Sequence, residues 1–319
     1  MITEVKIKNY KSILDASIPL SPFTLLIGAN GTGKSNFLQL LKDIPNYRET
    51  RFPRHVNYLS LAQQFDFIIN NKETFITTFD SIQKEIVIYC GDVIYVGIPD
   101  RIPEMKNVSI FSLNPLNAGQ SENLVTNPVV HEDGSGVVQV LDSLKTGDRE
   151  DLFNTIESTL KQYIPEIEKL SFITGKSEKQ LQVREKHISQ PIPVSELSEG
   201  TRLTLIILTI LFQERPPSLI CIEEINRGLH PRLFGQIVQL CSDMANKENM
   251  PQIIATTHNP YLVDHFKDNE SAVVIVEKEN GQTTFTTLEE RLRHLEPDEE
   301  PLGALWYSGI VGGVPKKQV

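Results

Sequence analysis

Membrane-length apolar runs, sustained heptads, internal repeats and low-complexity tracts are all missing from the chain. A spanning helix needs about 20 consecutive apolar residues, and a coiled-coil arm needs an a/d pattern held over several heptads, so both are excluded as readings. Cysteine is scarce. Cys90, Cys221 and Cys241 lie far apart, are odd in number and show no metal-ligand spacing, which argues against a disulfide scaffold or zinc site and suits a reducing compartment. Basic charge is also short, with 31 Lys and Arg against 41 Asp and Glu and a net charge of −10. That balance disfavours nucleic-acid binding over the whole surface and leaves room only for a local patch. Lys6, Lys8 and Lys11 form one basic cluster, and Arg48, Arg51, Arg54 and His55 another. Such clusters are more often solvated faces, so neither identifies a partner. The opening "MITEVKIKNYKS" lacks the apolar core of a signal peptide, and a cytoplasmic protein is expected.

What is present is an ordinary globular composition, 39% hydrophobic and 23% charged over 319 residues, enough for one large domain or a domain with an embedded lobe. Alternation at Ile2, Val5 and Ile7, followed by the strand-like runs in "SILDASIPLSPFTLLIG", predicts an antiparallel sheet beside a parallel core. A helix is expected over 34–42, strands in "KETFITTF", "KEIVIYC" and "DVIYVGI", loops over 99–136, a helix over 149–163 and a hairpin from "KLSFITG" with "KQLQVREKHI". Periodicity then strengthens. "SELSEGTRLTLIILTILFQ" reads as a loop and an apolar helix, "LICIEE" as a buried strand ending in two carboxylates, and "PRLFGQIVQLCSDMANK" as an amphipathic helix. "QIIATTH" is another buried strand, and "SAVVIVEKENGQTTFTTL" a hairpin turning at Asn280-Gly281.

The most informative segment is "LLIGANGTGKSNFLQLL". Gly28, Gly33, Lys34 and Ser35 satisfy G-x-x-x-x-G-K-[ST] between an apolar strand and a helix-like run. Glycines at 28, 31 and 33 let successive N–H groups turn inward while the new helix aims its positive end at the same point. Asn30, Gly31, Thr32, Gly33, Lys34, Ser35 and Asn36 are therefore candidates to hold a nucleotide's phosphates. Lys34 would reach the β- and γ-phosphates, and Ser35 would hold Mg²⁺.

Four other motifs gain meaning beside this loop. Glu223 and Glu224 end an apolar strand where a P-loop enzyme needs one acid near Mg²⁺ and another to deprotonate water. Alone they would read as a solvated edge. Ser198 in "ELSEGTR" can cap a helix and, with nearby N–H groups, bind a γ-phosphate; a plain capping sequence reads the same way. His258 ends "ATTH" at a strand tip, where it can face a γ-phosphate or be structural. "INRGLHP" can be a glycine turn with Pro231 in a helix's first position.

The ordered set GANGTGKS (28–35), LSEG (197–200), LICIEE (219–224), GLHP (228–231) and ATTH (255–258) resembles the ABC-type ATPase head of the RecF, SMC, Rad50 and OLD group. "LGALWYSGIVGGVP" is similar to the tail of small stand-alone predicted bacterial AAA ATPases of that group. The resemblance implies an α/β P-loop NTPase fold with a mostly parallel core sheet, an N-terminal antiparallel β subdomain and an inserted α+β lobe. The expected layout is one domain over 1–319, the lobe at 45–192 and a tail at 297–319. It further implies a homodimer closed head to tail on two ATP molecules, each touching the Walker A loop of one copy and Ser198 and Gly200 of the other. By the same mapping Glu223 takes the Mg²⁺ position with Ser35, Glu224 is the catalytic base, His258 the switch histidine, and Arg227 and His230 lie on the cross-dimer loop. Gln64, preferred over Gln63, would be the Q-loop ligand of the metal. Position 223 is Glu where most of the superfamily has Asp, and Glu199 stands where transporter-type signatures have glycine.

An ATP-hydrolysing switch acting on nucleic acid or on a separately encoded nuclease, in DNA repair or anti-phage defence, is the expected function, with ATP and Mg²⁺ as cofactors and no membrane partner. No added acidic cluster suggests a nuclease in the same chain. The competing readings are a transporter's ATP-binding subunit, disfavoured by Glu199 and the long segment between loop and signature, and an ATP-sensing module without turnover, disfavoured by Glu224.

Overall fold

The computed structural model of the protein describes residues 1–43, 63–69, 73–80, 85–90, 93–96, 107–123, 125–175, 178–293, 295 and 300–315. The basic cluster at Arg48, Arg51, Arg54 and His55 lies outside them. The chain forms two units, Met1–Ile110 with Ser218–Ile225 and Ser242–Val319, and Phe111–Pro217 with Asn226–Cys241.

Along the chain come β1 (Ile2–Tyr10), β2 (Ile13–Pro19), β3 (Phe23–Ile27), α1 (Lys34–Asp43), β4 (Gln63–Ile69), β5 (Glu73–Asp80), β6 (Glu85–Cys90), β7 (Val93–Val96) and β8 (Val108–Phe111). They are followed by β9 (Glu122–Asn123), α2 (Val137–Thr146), α3 (Glu150–Tyr163), β10 (Ile167–Thr174), β11 (Glu178–Glu185), β12 (Ile192–Pro193) and α4 (Glu199–Phe212). The last part holds β13 (Leu219–Ile222), α5 (Pro231–Ala245), β14 (Gln252–Thr257), α6 (Pro260–Val263), β15 (Val273–Glu279), β16 (Gln282–Thr287), α7 (Leu288–Leu292) and α8 (Leu302–Tyr307).

Two sheets build the first unit among its described residues. One runs β2-β1-β4-β5-β6-β7 and is antiparallel. In β1 the side chains of Val5 and Ile7 are buried while Lys6 and Lys8, alternating with them, face solvent, as a strand with one wet face requires. A register shift between Ile2 and Glu4 lets Ile2 join the buried set despite its odd spacing. The second sheet runs β16-β15-β3-β14-β13-β8, with β15, β3, β14 and β13 parallel and β16 antiparallel to β15. Its inner strands "FTLLI", "LICI" and "QIIATT" are buried at every residue, because parallel strands are covered on both faces. Phe37, Leu38, Leu40 and Leu41 of α1 join one apolar cluster with β1, β2 and the parallel strands. Truncating a buried aromatic such as Phe37 would cost about 3–5 kcal/mol.

The second unit is built around α4, where Leu203 to Leu211 are buried without interruption, the pattern of a helix enclosed on all sides. The hairpin β10–β11, extended by β9 and β12 on β11, supplies its sheet. Phe172 of β10 meets Phe153 of α3 at 6.3 Å between ring centroids, and Lys145 of α2 lies over both rings. Lys179 and Asp142 close a largely buried ion pair at 2.5 Å.

The expectations differ from this fold in three places. The stretch 99–136 contains β8, an outer strand of the parallel sheet, along with β9 and a 3-10 turn over Pro115–Gly119; a strand of only four residues leaves little periodicity to find. The helix α2, with five apolar residues in its ten, follows directly on Gly134 and Gly136, whose density masks its start. The segment expected as one lobe at 45–192 is divided: β4 to β7 pair into the sheet of β1, whereas 111–192 belong to the second unit. Local sequence does not specify the partner strand of a hairpin meander.

Candidate nucleotide site

The carboxyl ends of β3, β13 and β14 collect the predicted polar groups, as ligand sites of open α/β sheets do. Register explains the convergence. Thr257 pairs with Ile27, so His258 and Gly28 leave the sheet side by side. Ile222 pairs with Ala255, which brings Glu223 and Glu224 out on the next strand. The strand itself stops at Ile222, so the glutamates occupy the turn after it rather than its last positions.

The loop between β3 and α1 is tightly held. Gly28 has φ +153°, and a Cβ there would lie 2.2 Å from the Val276 carbonyl oxygen. Gly33 has φ +117°, and its Cβ would meet Thr283 Oγ1 at 2.6 Å. No other residue fits either place. Thr32 and Lys34 are buried, Asn30, Gly31 and Ser35 are exposed, and Asn36 is half-buried on the first turn of α1. Lys34 Nζ donates to the carbonyls of Gly28 and Ala29 at 2.8 and 2.9 Å. Burial pulls the ammonium down to about 8, against the opposing charges of Glu224 and then Glu223. A lysine held within its own loop, with two carboxylates near, is a cation poised for phosphate oxygens.

Ser35 Oγ donates to Glu223 Oε1 at 2.6 Å. A hydroxyl and a carboxylate are the hard oxygen donors that Mg²⁺ takes, so these two residues fit such an ion. The longer glutamate side chain reaches Ser35 directly. Glu224 has φ +49°, a strained choice for a residue with a side chain. Thr256 holds it there, accepting from the Glu224 N–H through Oγ1 at 2.9 Å and from the Ile225 N–H through its carbonyl at 3.1 Å. The Glu224 carboxylate is left exposed. His258 sits below the usual histidine range, chiefly through burial and next through the Lys34 charge, with Glu224 and the Gly28 backbone opposing. Gln64 is the second residue of β4, opposite Lys8 of β1.

The remaining candidates lie in the second unit. Ser198 caps α4, its Oγ accepting from the Thr201 N–H at 3.2 Å, and is exposed. Gly200 is the second residue of that helix, where a Cβ would come 3.1 Å from the Gly228 carbonyl oxygen. Gly228 has φ +69°, and the Glu199 carboxylate packs on it, 2.8 Å from where a Cβ would be. Arg227 and His230 are exposed, and His230 Nδ1 accepts from the Arg232 N–H at 3.3 Å at the start of α5, with Pro231 in its first position. Sequence pattern alone does not single out Thr256 or Thr283. "ATTH" placed Thr256 two residues before the histidine, but its bond to Glu224 spans 32 residues.

A glycine loop with a buried lysine, a serine–carboxylate pair and a second carboxylate at the ends of a parallel sheet are the features of the ABC-type P-loop ATPase head class. The family models agree: "AAA ATPase domain" matches residues 1–179, and "AAA domain, putative AbiEii toxin, Type IV TA system" matches 141–264. The chain belongs to the AAA ATPase domain family. It is 24% identical to the Septu protein PtuA of Bacillus mycoides (strain KBAB4) over 87% of this chain and 41% of that one. It is 24% identical to an OLD nuclease of Thermus scotoductus (strain ATCC 700910 / SA-01) over 83% of this chain and 60% of that one. The chain thus spans about half the length of these curated relatives. In fold it is similar to an SMC head crystallised with the C-winged helix domain of ScpA, with TM-score 0.59, 12% identity and coverage of 90% and 97% of the two chains. Among the described residues no helix is long and apolar enough to cross a membrane.

Proposed function

We propose that two copies of this chain close head to tail on two ATP molecules, and that closing and hydrolysis drive a separately encoded effector, such as a nuclease, or nucleic acid, in anti-phage defence or DNA repair. The observation that carries the reading is the distribution of its parts. Lys34, Ser35, Glu223, Glu224 and His258 gather in one unit, while Ser198 and Gly200 stand at the exposed start of a helix in the other. The names of the relatives, a Septu protein and an OLD nuclease, support the biological setting.

In this reading Lys34 turns from the Gly28 and Ala29 carbonyls to the β- and γ-phosphates. Ser35 and Glu223, with Gln64 as the resemblance implies, would hold Mg²⁺, which would neutralise charge on those phosphates. Asn30, Gly31, Thr32, Gly33 and Asn36 line the phosphate path. The Glu224 carboxylate takes a proton from the water that attacks the γ-phosphorus as the bond to the β-phosphate oxygen breaks, giving ADP and phosphate. His258, whose burial disfavours the charged form, is placed to hydrogen-bond the γ-phosphate. Ser198 and Gly200 of the second copy contact the same phosphate, and Arg227 and His230 lie on the loop between copies.

The test is mass by light scattering with ATP and Mg²⁺. Glu224→Gln should trap a dimer, and adding Ser198→Arg should return it to the monomer without loss of nucleotide binding. A double variant that dimerises as well as Glu224→Gln makes Ser198 only a helix cap and ends the head-to-tail reading.

A further inference from the structure

The hairpin β15–β16 reaches under the phosphate loop from the far end of the chain. Thr283, the second residue of β16, is 1% exposed. Its N–H donates to the Ser12 carbonyl at 2.7 Å, which fixes it against the β1–β2 turn. Its hydroxyl lies 2.7 Å from the Thr32 carbonyl oxygen and 2.8 Å from Ser12 Oγ. Ser12 Oγ also accepts from Asn36 Nδ2 at 3.4 Å, and Asn36 Oδ1 accepts from Lys11 Nζ at 3.4 Å.

Counting protons fixes the direction of every bond in this chain. A carbonyl oxygen can only accept, and a threonine hydroxyl has one hydrogen, so Thr283 gives its proton to Thr32. Ser12 must then give its own proton to Thr283, which leaves the serine oxygen free to accept from Asn36. The result runs one way, from the Lys11 ammonium through Asn36, Ser12 and Thr283 to the Thr32 carbonyl, and aligned donors polarise one another. In a trans peptide the C=O and the following N–H point in opposite directions. Drawing the Thr32 carbonyl down onto Thr283 therefore turns the Gly33 N–H away from the hairpin. The side of Gly33 Cα that would carry a Cβ rests on the threonine as well.

We propose that Thr283 is a positioning residue for the nucleotide: its hydroxyl orients the Thr32–Gly33 peptide so that the Gly33 N–H faces the phosphates, with Ser12 and Asn36 completing the relay. The proposal rests on the loop's binding ATP, and not on dimerisation. Calorimetric titration of each variant with a non-hydrolysable ATP analogue and Mg²⁺ tests it. Thr283→Val keeps the shape and removes the proton; affinity should fall about tenfold, while kcat at saturating ATP changes less than about threefold. Thr283→Ser should restore affinity to within about twofold of wild type, and Ser12→Ala should lie between. Phe285→Leu, on the same strand and packed on Phe37 at 5.6 Å between centroids, is the control for fold damage. A valine variant that binds like wild type, or a Phe285→Leu variant of equal Tm that weakens binding as much, overturns the positioning role. Absence of binding by wild type would instead overturn the nucleotide reading itself.

Discussion

The two units hold their candidate residues in different ways. In the first, the polar groups are tied by contacts far apart in sequence: Ser35 to Glu223 across 188 residues, Glu224 to Thr256 across 32, and Thr283 to Thr32 across 251. In the second, the bonds of Ser198 and His230 are local, to Thr201 and Arg232, and both side chains remain exposed. Such a division suits a reaction centre set within one copy and a cap offered to another. Preorganised groups lose little entropy on meeting a phosphate, whereas an exposed helix start keeps N–H donors for a ligand brought to it.

The sharpest test of that contrast is Glu224→Gln. If the first unit carries the chemistry, phosphate release should fall about 10²–10⁴-fold, while analogue affinity stays within about twofold. A rate within about tenfold of wild type, about 1.4 kcal/mol in barrier, would move the base elsewhere.

Lys34 gives a pH signature. Its pKa of about 8 reflects burial in the free loop, with the glutamate charges opposing; bound phosphates raise it, because they favour the ammonium. Below about pH 8 the lysine is protonated with or without ligand, so binding takes up no proton. Above it, binding must recruit one, and affinity should fall by up to about tenfold per pH unit. Titration at pH 9 in buffers of different ionisation enthalpy should show uptake approaching one proton, and Lys34→Arg should abolish it. No uptake in the wild type would place the lysine away from the phosphates.

The smallest effect belongs to Ser198→Ala. Loss of the cap should cost about 1 kcal/mol in denaturant unfolding and leave monomer nucleotide affinity unchanged. An equal loss of affinity would break the comparison, since it would make the signature part of its own chain's site.

Spacing and periodicity alone determined the strand–loop–helix of the phosphate loop, the buried inner strands and the hairpin turning at Asn280-Gly281, where both residues have positive φ. These are short-range properties: a glycine turn, a run of apolar residues and an i,i+2 alternation act within a few residues of chain. The resemblance to ABC-type heads joined Glu223, Glu224 and His258 to that loop by order of motifs. Only tertiary structure decided that β4 to β7 complete the sheet begun by β1, that β8 closes the edge of the parallel sheet, and that Glu224 is held in a left-handed turn by Thr256. Thr283 shows the reason most clearly. A threonine in "GQTTFTT" is unexceptional as a strand former, and it acquires a role because the fold buries its hydroxyl against a carbonyl that can only accept, in a loop 251 residues earlier.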